Sequence, residues 1–408
     1  MKKILFVDDE LRVVQALGRM LRSMRNEWDI KFALSGQEAL KILANNPVDV
    51  VVSDIRMPGM DGAQLLKQIR RRYPQIVRIF LSGQSDHEAL IKSADVAHQF
   101  LTKPFEAHNL KTIITRVFAL RELLNNEKLS QLISGIRSLP TLPKAYLDIK
   151  NELYSDEASI SRVVDIIEKD IGMTTKILQM INSSYFGLPS QIKTVKHAVV
   201  LLGLETLKTF MLTNHIFSHF SCLSLKQLHV DKVITHSIYT GNLAAYIAKL
   251  QNQDSDAIGE ARLAGFLHDC GKLLLADKLK KEYGQIIERA ISRNLPLWYI
   301  ERETLGTTHG EVGAYLLGIW GLPDNIIEIL AFHHHPSDCL QKGLSSLAAV
   351  EAANLFLHEK EQIQSDTLTC EETNAYFEKI GLSDQLLLWR KMCTTLNEHA
   401  LGVAAEAV

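Results

Sequence analysis

Residues 50–62 read VVVSDIRMPGMDG, and this stretch decides the fold of the N-terminal part of the chain. A run of β-branched residues is typical of a strand that is buried on both faces, as in a parallel sheet. The run ends in a carboxylate, Asp54, and Met57-Pro58-Gly59 then breaks the strand. We therefore expect Asp54 at the carboxyl end of a parallel strand, the edge of an open α/β sheet where ligands bind.

Three other apolar segments of this region also end in polar side chains. Asp8 and Asp9 follow KKILFV, Ser82 follows VRIFL, and Lys103 follows QFLT. Parallel strands share one carboxyl edge, so these groups should converge on Asp54. Two neighbouring carboxylates suit Mg²⁺, and a lysine and a hydroxyl can bind phosphoryl oxygens. The pattern predicts a carboxylate at Asp54 that accepts a phosphoryl group.

The first 125 residues alternate short apolar strands with amphipathic helical segments five times, which predicts a doubly wound α/β domain. The fifth helix should begin near Glu106. Its apolar stripe recurs at helical spacing at Ile113, Val117, Leu120 and Leu124. We expect part of this stripe to pack on the sheet. The alternative is that the helix extends toward Ile133 as a signalling or dimer helix.

Two prolines in SLPTLP (138–143) mark the start of a second domain. Beyond them no period-two pattern stands out, and residues 144–400 predict an all-α domain of ten or more helices. Examples of the helical stretches are residues 159–184, 194–217 and 256–279. The expected division is a first domain at 1–125, a helical linker at 126–139, a helical domain core at 140–340, and C-terminal helices packing on it at 341–408.

Composition narrows the classes of function. The net charge of −2 and the lack of a long basic run argue against nucleic acid or a membrane surface as partner. The apolar run in MKKILFVDDE is too short for a signal peptide, and no apolar stretch approaches bilayer length. The five cysteines form no C-x-x-C pair, which is typical of reduced thiols in a cytoplasmic protein.

The second domain carries histidines at the ends or middles of separate apolar helices. They are His236, the pair His268-Asp269 after LAGFL, His309 at the start of HGEVGAYLL, and His333-His334 after NIIEILAF. Imidazole and carboxylate groups from facing helices can build a site for one or two metal ions. In H-D-x-G-K, Lys272 lies one turn after the pair, where it could meet a phosphate. A single histidine on an apolar face is more often a core residue, and only the set favours a site.

Residues 1 to about 120 resemble the receiver domain of a two-component response regulator. The resemblance rests on Asp8, Asp9, Asp54, the MPGMDG turn, Ser82, Lys103 and Pro104. It implies that Asp54 is the phosphoacceptor, that Phe100 occupies an aromatic switch position, and that Mg²⁺ is held by Asp8, Asp9 and Asp54. It also implies a sensor histidine kinase or a phosphotransfer protein as the phosphoryl donor.

Residues 130 to about 360 resemble the HDOD domain, through SLPTLPKAYLDI, INSSYFGLPSQIKTVKHAVVLLGLETLK, FLHDCGKLLL, THGEVGAYLLGIWGLP and AFHHHP, in that order. They are also similar to the HD-GYP family of metal-dependent cyclic di-GMP phosphodiesterases. The ligand set implied by that similarity falls on His236, His268, Asp269, His309, His333 and His334, with iron, manganese or zinc as the metal.

Three departures weaken the implied phosphodiesterase. A late aspartate ligand of that family falls at Asn354, a neutral and poorer ligand, and Glu351 one turn earlier could substitute for it. A glutamate before the first histidine is replaced by Lys232, and no Gly-Tyr-Pro loop follows AFHHHPSDCL. We therefore expect a response regulator whose HDOD domain acts in signal relay or protein interaction, with a downstream signalling protein or a second copy of the chain as partner. The alternatives are an impaired metal-dependent phosphodiesterase and a domain that binds a nucleotide without cleaving it.

Overall fold

The computed structural model describes residues 1–82, 96–103, 105, 107–122, 129, 133, 136, 140–141, 148–149, 151–153, 155, 158–182, 191–204, 207, 218–219, 230–339, 345–360 and 367–394. Among these, no helix combines the length and hydropathy that crossing a bilayer requires.

The N-terminal region is a five-stranded parallel sheet in the order β2-β1-β3-β4-β5. Its elements are β1 (Lys2–Val7), α1 (Leu11–Met20), β2 (Trp28–Ala33), α2 (Gly36–Asn45), β3 (Val50–Asp54), α3 (Gly62–Arg72), β4 (Val77–Ser82), β5 (Gln99–Thr102) and α4 (Ala107–Glu122). The predicted doubly wound fold is confirmed. The valines of β3 are fully buried, as expected for a central strand with helices on both faces.

The strand order places the functional edge. Chain order reverses at β1, which has β2 on one side and β3 on the other. In such sheets a crevice opens at the carboxyl ends of the strands beside the reversal. Asp8 follows β1 and Asp54 ends β3, so both carboxylates lie at this crevice.

The second region is helical, as predicted. Its helices are α5 (Ile160–Ile167), α6 (Ile171–Ile181), α7 (Val195–Leu202), α8 (Val230–Leu250), α9 (Ser255–Leu267), α10 (Cys270–Arg293), α11 (Leu297–Leu305), α12 (His309–Ile319), α13 (Asp324–Phe332), α14 (Ser346–Lys360), α15 (Thr367–Lys379) and α16 (Ser383–Thr394). One departure is a two-residue parallel pairing of β6 (Pro140–Thr141) with β7 (Ser218–His219), which is too short to leave an alternating pattern in the sequence.

Two predicted helical stretches each divide into two helices. Asp170 separates α5 from α6, because its side chain accepts a hydrogen bond from the backbone N–H of Met173 at 2.8 Å and so caps the second helix. His268 and Asp269 separate α9 from α10. The second break removes both side chains from a continuous helix and directs them into the interior, where they are almost fully buried.

The end of α4 packs on the helical region as well as on the sheet. Val117 of the predicted stripe is fully buried, whereas Ile113 is only partly buried and the neighbouring Ile114 is fully buried in its place. Leu120 instead lies against Gly318 of α12, so closely that a Cβ at Gly318 would come within 2.5 Å of the leucine Cδ1. Leu120, one residue of the predicted stripe, therefore packs on the helical region, and the expectation concerned only part of the stripe. Residues 123–128, among them Leu124, lie outside the described residues, whereas Leu129 and Ile133 on the alternative extension are buried.

Candidate functional site

The carboxyl edge of the sheet brings Asp8, Asp54 and Lys103 together. The Lys103 ammonium donates to Asp8 Oδ2 at 2.7 Å and to Asp54 Oδ1 at 2.5 Å. Asp8 Oδ1 and Asp54 Oδ2 accept backbone N–H bonds from Glu10 and Arg56. Because β1, β3 and β5 end at the same level, side chains that are 49 and 95 residues from Lys103 in sequence meet at one ammonium group.

The exposure of these groups suits a reaction at Asp54. The Asp8 side chain is 1% exposed, whereas 14% of the Asp54 side chain reaches solvent. Asp9 is exposed beside them. Ser82 ends β4 and pairs with Thr102 in the register, which places it at the same edge, although its side chain and Pro104 lie outside the described residues.

Burial and charge act in opposite directions on Asp54. Burial raises the pKa of Asp54 above its ordinary value, against the hydrogen bond and charge of Lys103. The pKa of Lys103 is raised because its hydrogen bonds to the two carboxylates outweigh its burial. A bound cation would favour the ionised form of Asp54 and so restore a nucleophilic carboxylate.

Local packing holds the β3 carboxylate in place. A Cβ at Gly62 would lie 2.0 Å from the Asp54 carbonyl oxygen, so only glycine allows α3 to begin this close to the end of β3. Phe100, the residue at the implied switch position, is buried against Phe80 with ring centroids 5.6 Å apart.

A second candidate site lies in the helical region. It gathers side chains from five helices or their ends, namely His236 within α8, His268-Asp269 between α9 and α10, His309 at the start of α12, and His333-His334 after α13. All six are buried. Their ligand atoms form two groups that could each hold a metal ion, one of His309, His333 and His334 and the other of His236, His268 and Asp269. The structure thus brings together every histidine that the sequence analysis singled out.

The Asp269 carboxylate, a member of the second group, also faces histidines of the first group. Its Oδ1 lies 3.1 Å from His309 Nε2 and 4.0 Å from His333 Nε2. Its Oδ2 lies 3.5 Å from His268 Nε2. His334 Nε2 is 2.8 Å from His309 Nε2, so the three imidazoles of the first group cluster beside this carboxylate.

The imidazoles are oriented by their second nitrogens. Nδ1 of His268 is 2.7 Å from the Gly265 carbonyl oxygen, and Nδ1 of His333 is 2.8 Å from that of Leu330. A carbonyl oxygen can only accept, so each Nδ1 carries the proton and each Nε2 presents a lone pair. This arrangement is the one that orients metal-bound histidines.

Glu301 orients His309 in a similar way. Its Oε2 accepts from His309 Nδ1 at 2.7 Å and from the His309 backbone N–H at 2.8 Å, and its Oε1 accepts from the Tyr283 hydroxyl at 2.5 Å. The sequence analysis missed Glu301. A signal was present, because Leu297, Glu301 and Leu305 share one helical stripe and a glutamate on an apolar stripe is normally paired.

Burial and neighbouring charges shift the pKa values of the five histidines in opposite directions. Burial lowers the pKa of His236 to about 3 and that of His268 to about 4, and it lowers those of His333 and His334 well below the ordinary value. The pKa of His309 is raised, because the Glu301 carboxylate outweighs burial. Although burial opposes it, the nearby His268, Lys272 and His309 lower the pKa of Asp269 well below its ordinary value.

The second group is already partnered by protein atoms. The Lys272 ammonium donates to Asp269 Oδ2 at 2.7 Å, and His236 Nε2 lies 2.9 Å from the Asn354 amide oxygen. Lys232 is exposed. Glu351 does not substitute for the missing aspartate, because its Oε2 accepts from Thr373 of α15 and burial raises its pKa well above the ordinary value.

Between Asp269 and the first group, by contrast, some buried atoms are unpartnered. Asp269 Oδ1, His333 Nε2 and His334 Nδ1 are buried and have no hydrogen-bond partner that satisfies normal geometry. Leaving such atoms unpaired costs about 1–3 kcal/mol each. A cation bound by Asp269 Oδ1 and the Nε2 atoms of the first group would satisfy two of the three, so the residues present fit a metal ion there.

Comparison with known protein families finds matches in two separate parts of the chain. The model of the response regulator receiver domain matches residues 4–115, and that of the HDOD domain matches residues 139–336. An uncharacterized protein of Treponema pallidum (strain Nichols) is 25% identical over 230 residues, 56% of this chain and 44% of that protein. The hydrogenase transcriptional regulatory protein HoxA of Cupriavidus necator is 39% identical over 109 residues, 26% of this chain and 22% of HoxA. The chain thus spans less than half the length of either relative.

Among solved structures, the MmoQ response regulator of Methylococcus capsulatus is 22% identical, with a TM-score of 0.46, over 59% of this chain and 93% of MmoQ.

Proposed function

Because the chain joins a response regulator receiver domain to a C-terminal HDOD domain, we propose that it is a two-component response regulator in which phosphorylation of Asp54 controls the helical output. A sensor histidine kinase or a phosphotransfer protein would supply the phosphoryl group. The output domain would act in signal relay or protein interaction, in the cytoplasm, through a downstream signalling protein or a second copy of the chain.

The observation that carries this proposal is the joint hydrogen bonding of Asp8 and Asp54 to Lys103. Asp8, Asp9 and Asp54 would hold Mg²⁺, which offsets the charge of the incoming phosphoryl group. After transfer, the Lys103 ammonium is close enough to exchange its bond with Asp54 Oδ1 for one with a phosphoryl oxygen. That exchange would move Lys103, which directly follows β5. It is the local change on which control of the helical domain would depend.

Phosphorylation of the full chain by acetyl phosphate and Mg²⁺, followed by intact mass spectrometry, tests this function. We expect one phosphoryl group on the wild type and on the control variant Asp29→Asn, a partly buried carboxylate of β2. Asp54→Asn should take none. Equal incorporation in Asp54→Asn and the wild type would refute the assignment, and so would no incorporation in any of the three proteins.

A second candidate function is metal-dependent phosphohydrolysis in the helical domain. The observation that favours it is the cluster of three buried imidazoles, of which His309 and His333 have Nε2 atoms 3.1 and 4.0 Å from Asp269 Oδ1 and Nδ1 atoms held by acceptors. Iron, manganese or zinc are the metals that suit such nitrogen and carboxylate ligands. When bound, the ion would polarise a phosphoryl oxygen and activate water.

The contacts favour one cation rather than two. The Lys272 ammonium occupies Asp269 Oδ2, and Asn354 binds His236 where the HD-GYP similarity implies an anionic ligand. A positive charge is therefore already present in the second group, and the neutral amide supplies no charge to balance another ion. We propose a single-ion site at His309, His333, His334 and Asp269.

Elemental analysis of the full chain after expression in metal-replete medium tests the site. We expect about one equivalent of metal in the wild type and in the control variant His197→Ala, an exposed histidine of α7. The double variant His268→Ala/Asp269→Ala should contain none. Absence of metal from all three proteins would refute the metal site and leave signal relay as the proposed output. Two equivalents in the wild type would contradict a site for a single ion.

A further inference from the structure

The hairpin formed by α12 and α13, residues 309–332, connects the two candidate sites. Its tip at residues 318–324 contacts the receiver domain. The opposite end carries His309 and is followed at once by His333 and His334. One compact element therefore has the phosphorylation domain at one end and the first histidine group at the other.

The tip is held by polar contacts from β5 and α4. The Gln99 side-chain amide donates to the Ile319 carbonyl oxygen at 2.9 Å, and the Arg116 guanidinium donates to that of Leu322. Arg116 also pairs with Asp324 at 2.7 Å. The Arg116 side chain is only 15% exposed, whereas that of Asp324 is 73% exposed, so the guanidinium is buried against the tip while its carboxylate partner faces solvent.

Close packing at both ends of the hairpin is the reason to expect that it moves as one rigid element. A Cβ at Gly310 would lie 2.5 Å from the Leu330 carbonyl oxygen and 2.8 Å from His333 Cε1, so the two helices are in close contact at the histidine end. Gly318 gives equally close contact with Leu120 at the tip. A helix of this length spans about 16 Å, and its close packing at both ends is the basis for expecting that a shift at the tip reaches the histidines.

The same strand reaches both Asp54 and the tip. Gln99 begins β5, and Lys103 follows its last residue. The strand contains four residues, so the Cα atoms of Gln99, whose amide binds Ile319, and Lys103, whose ammonium binds Asp54, are about 13 Å apart along one extended segment. Phe100 is next to Gln99 and faces the opposite side of the sheet, against Phe80.

We propose that the hairpin is the element through which the receiver domain sets the spacing of His309, His333 and His334, so that phosphorylation of Asp54 changes the affinity of this group for a divalent metal ion. This inference rests on the proposed phosphorylation of Asp54. Coupling of this kind is reciprocal, so metal bound at the histidines shifts the phosphorylation equilibrium by the same factor. The receiver domain of the same chain is the partner that the hairpin tip fits.

Hydrogen exchange of the full chain, with and without beryllofluoride and Mg²⁺ as the acyl phosphate analogue, tests the link directly. We expect exchange in residues 309–332 to change at least about fivefold, the lower end of ordinary coupling, while α16 stays constant. Asp54→Asn should abolish the change. The double variant Gln99→Ala/Arg116→Ala should lose it in the hairpin and keep it around Asp54, whereas Arg72→Ala, an exposed receiver arginine, should behave as wild type.

Zn²⁺ affinity, measured by competition with a chromophoric chelator in the same proteins, gives an independent readout. We expect beryllofluoride to shift the Kd at least about fivefold in the wild type and in Arg72→Ala, and not in the double variant. Changed exchange around Asp54 with an unchanged hairpin would overturn the link, and so would a shift that persists in the double variant.

The two proposals fail in different ways. If no variant binds Zn²⁺, the metal site is wrong and the proposed control of metal affinity fails with it, while phosphorylation of Asp54 can still be intact. If beryllofluoride changes exchange nowhere in the wild type, the phosphoacceptor function fails and the coupling that rests on it fails too.

Discussion

Replacing Glu301 with glutamine tests whether the carboxylate orients His309 or merely fills space. The carboxylate is fully buried and accepts three hydrogen bonds, two from His309 and one from Tyr283. Glutamine keeps the shape, its oxygen can accept both His309 bonds, and its amide can donate to the Tyr283 hydroxyl. The substitution therefore removes the charge with little change in the number of hydrogen bonds.

The expected cost follows from that difference. A hydrogen bond to a charged group contributes about 1.5–3 kcal/mol and one between neutral groups about 0.5–1.5 kcal/mol, so each of the three bonds should weaken by about 1 kcal/mol and the free energy of unfolding at pH 7 should fall by about 3 kcal/mol. Glu303→Gln is the matched control, because Glu303 pairs with Arg293 and Arg289 on the surface. Its loss should be about 0–1 kcal/mol. Urea unfolding of the full chain, followed by tryptophan fluorescence, measures both values.

The pH dependence gives a second check on Glu301→Gln. Its interactions with His309 and Tyr283 lower the pKa of Glu301 despite its burial. The stability contributed by this carboxylate is thus present above its ordinary pKa and is lost as pH falls through the lowered value. The difference between wild type and Glu301→Gln should therefore shrink in acid. Equal stability of Glu301→Gln and Glu303→Gln at pH 7 would refute the reasoning.

Three further predictions concern other positions. Burial raises the pKa of Glu351 well above 4.5, so the stability that its protonation contributes is lost as pH rises. Glu351→Gln should therefore gain stability over wild type by up to about 1.4 kcal/mol per pH unit above pH 4.5. Urea titrations beside the exposed control Glu378→Gln would reveal this gain. Gly271→Ala should cost about 1–3 kcal/mol in thermal unfolding and lower metal content, because its Cβ would lie 1.9 Å from the His309 carbonyl oxygen. Arg116→Ala should speed amide exchange at the hairpin tip, since it removes the guanidinium donor there.

The first domain was predictable because its pattern is local and repeated. Each strand is a short apolar run, and each functional group stands directly after one, so the common edge of a parallel sheet brings Asp8, Asp54 and Lys103 together. The structure confirms the fold and this convergence of side chains. The phosphorylation of Asp54 stays a prediction.

The helical domain was less accessible to sequence reasoning. Periodicity indicated helices and singled out the histidines, but it ran through His268-Asp269, where the structure has a break. Helical patterns are insensitive to a two-residue interruption between apolar segments. The contact of Gln99 with Ile319 was missed because it joins residues 220 apart in sequence, which no local pattern encodes. Glu301 was missed although its place on an apolar helical stripe indicated a paired carboxylate.

Fluorine NMR of the full chain labelled with 5-fluorotryptophan tests most directly whether the helical domain responds to Asp54. The four tryptophans report on separate places: Trp28 on the receiver sheet, Trp320 on the hairpin tip, Trp298 beside His334 and His335, and Trp389 against Phe377.

After treatment with acetyl phosphate and Mg²⁺, we predict that the resonances of Trp320 and Trp298 shift, that Trp389 stays in place, and that Asp54→Asn shows neither shift. A spectrum in which phosphorylation at Asp54 is complete and Trp28 alone responds would contradict the account.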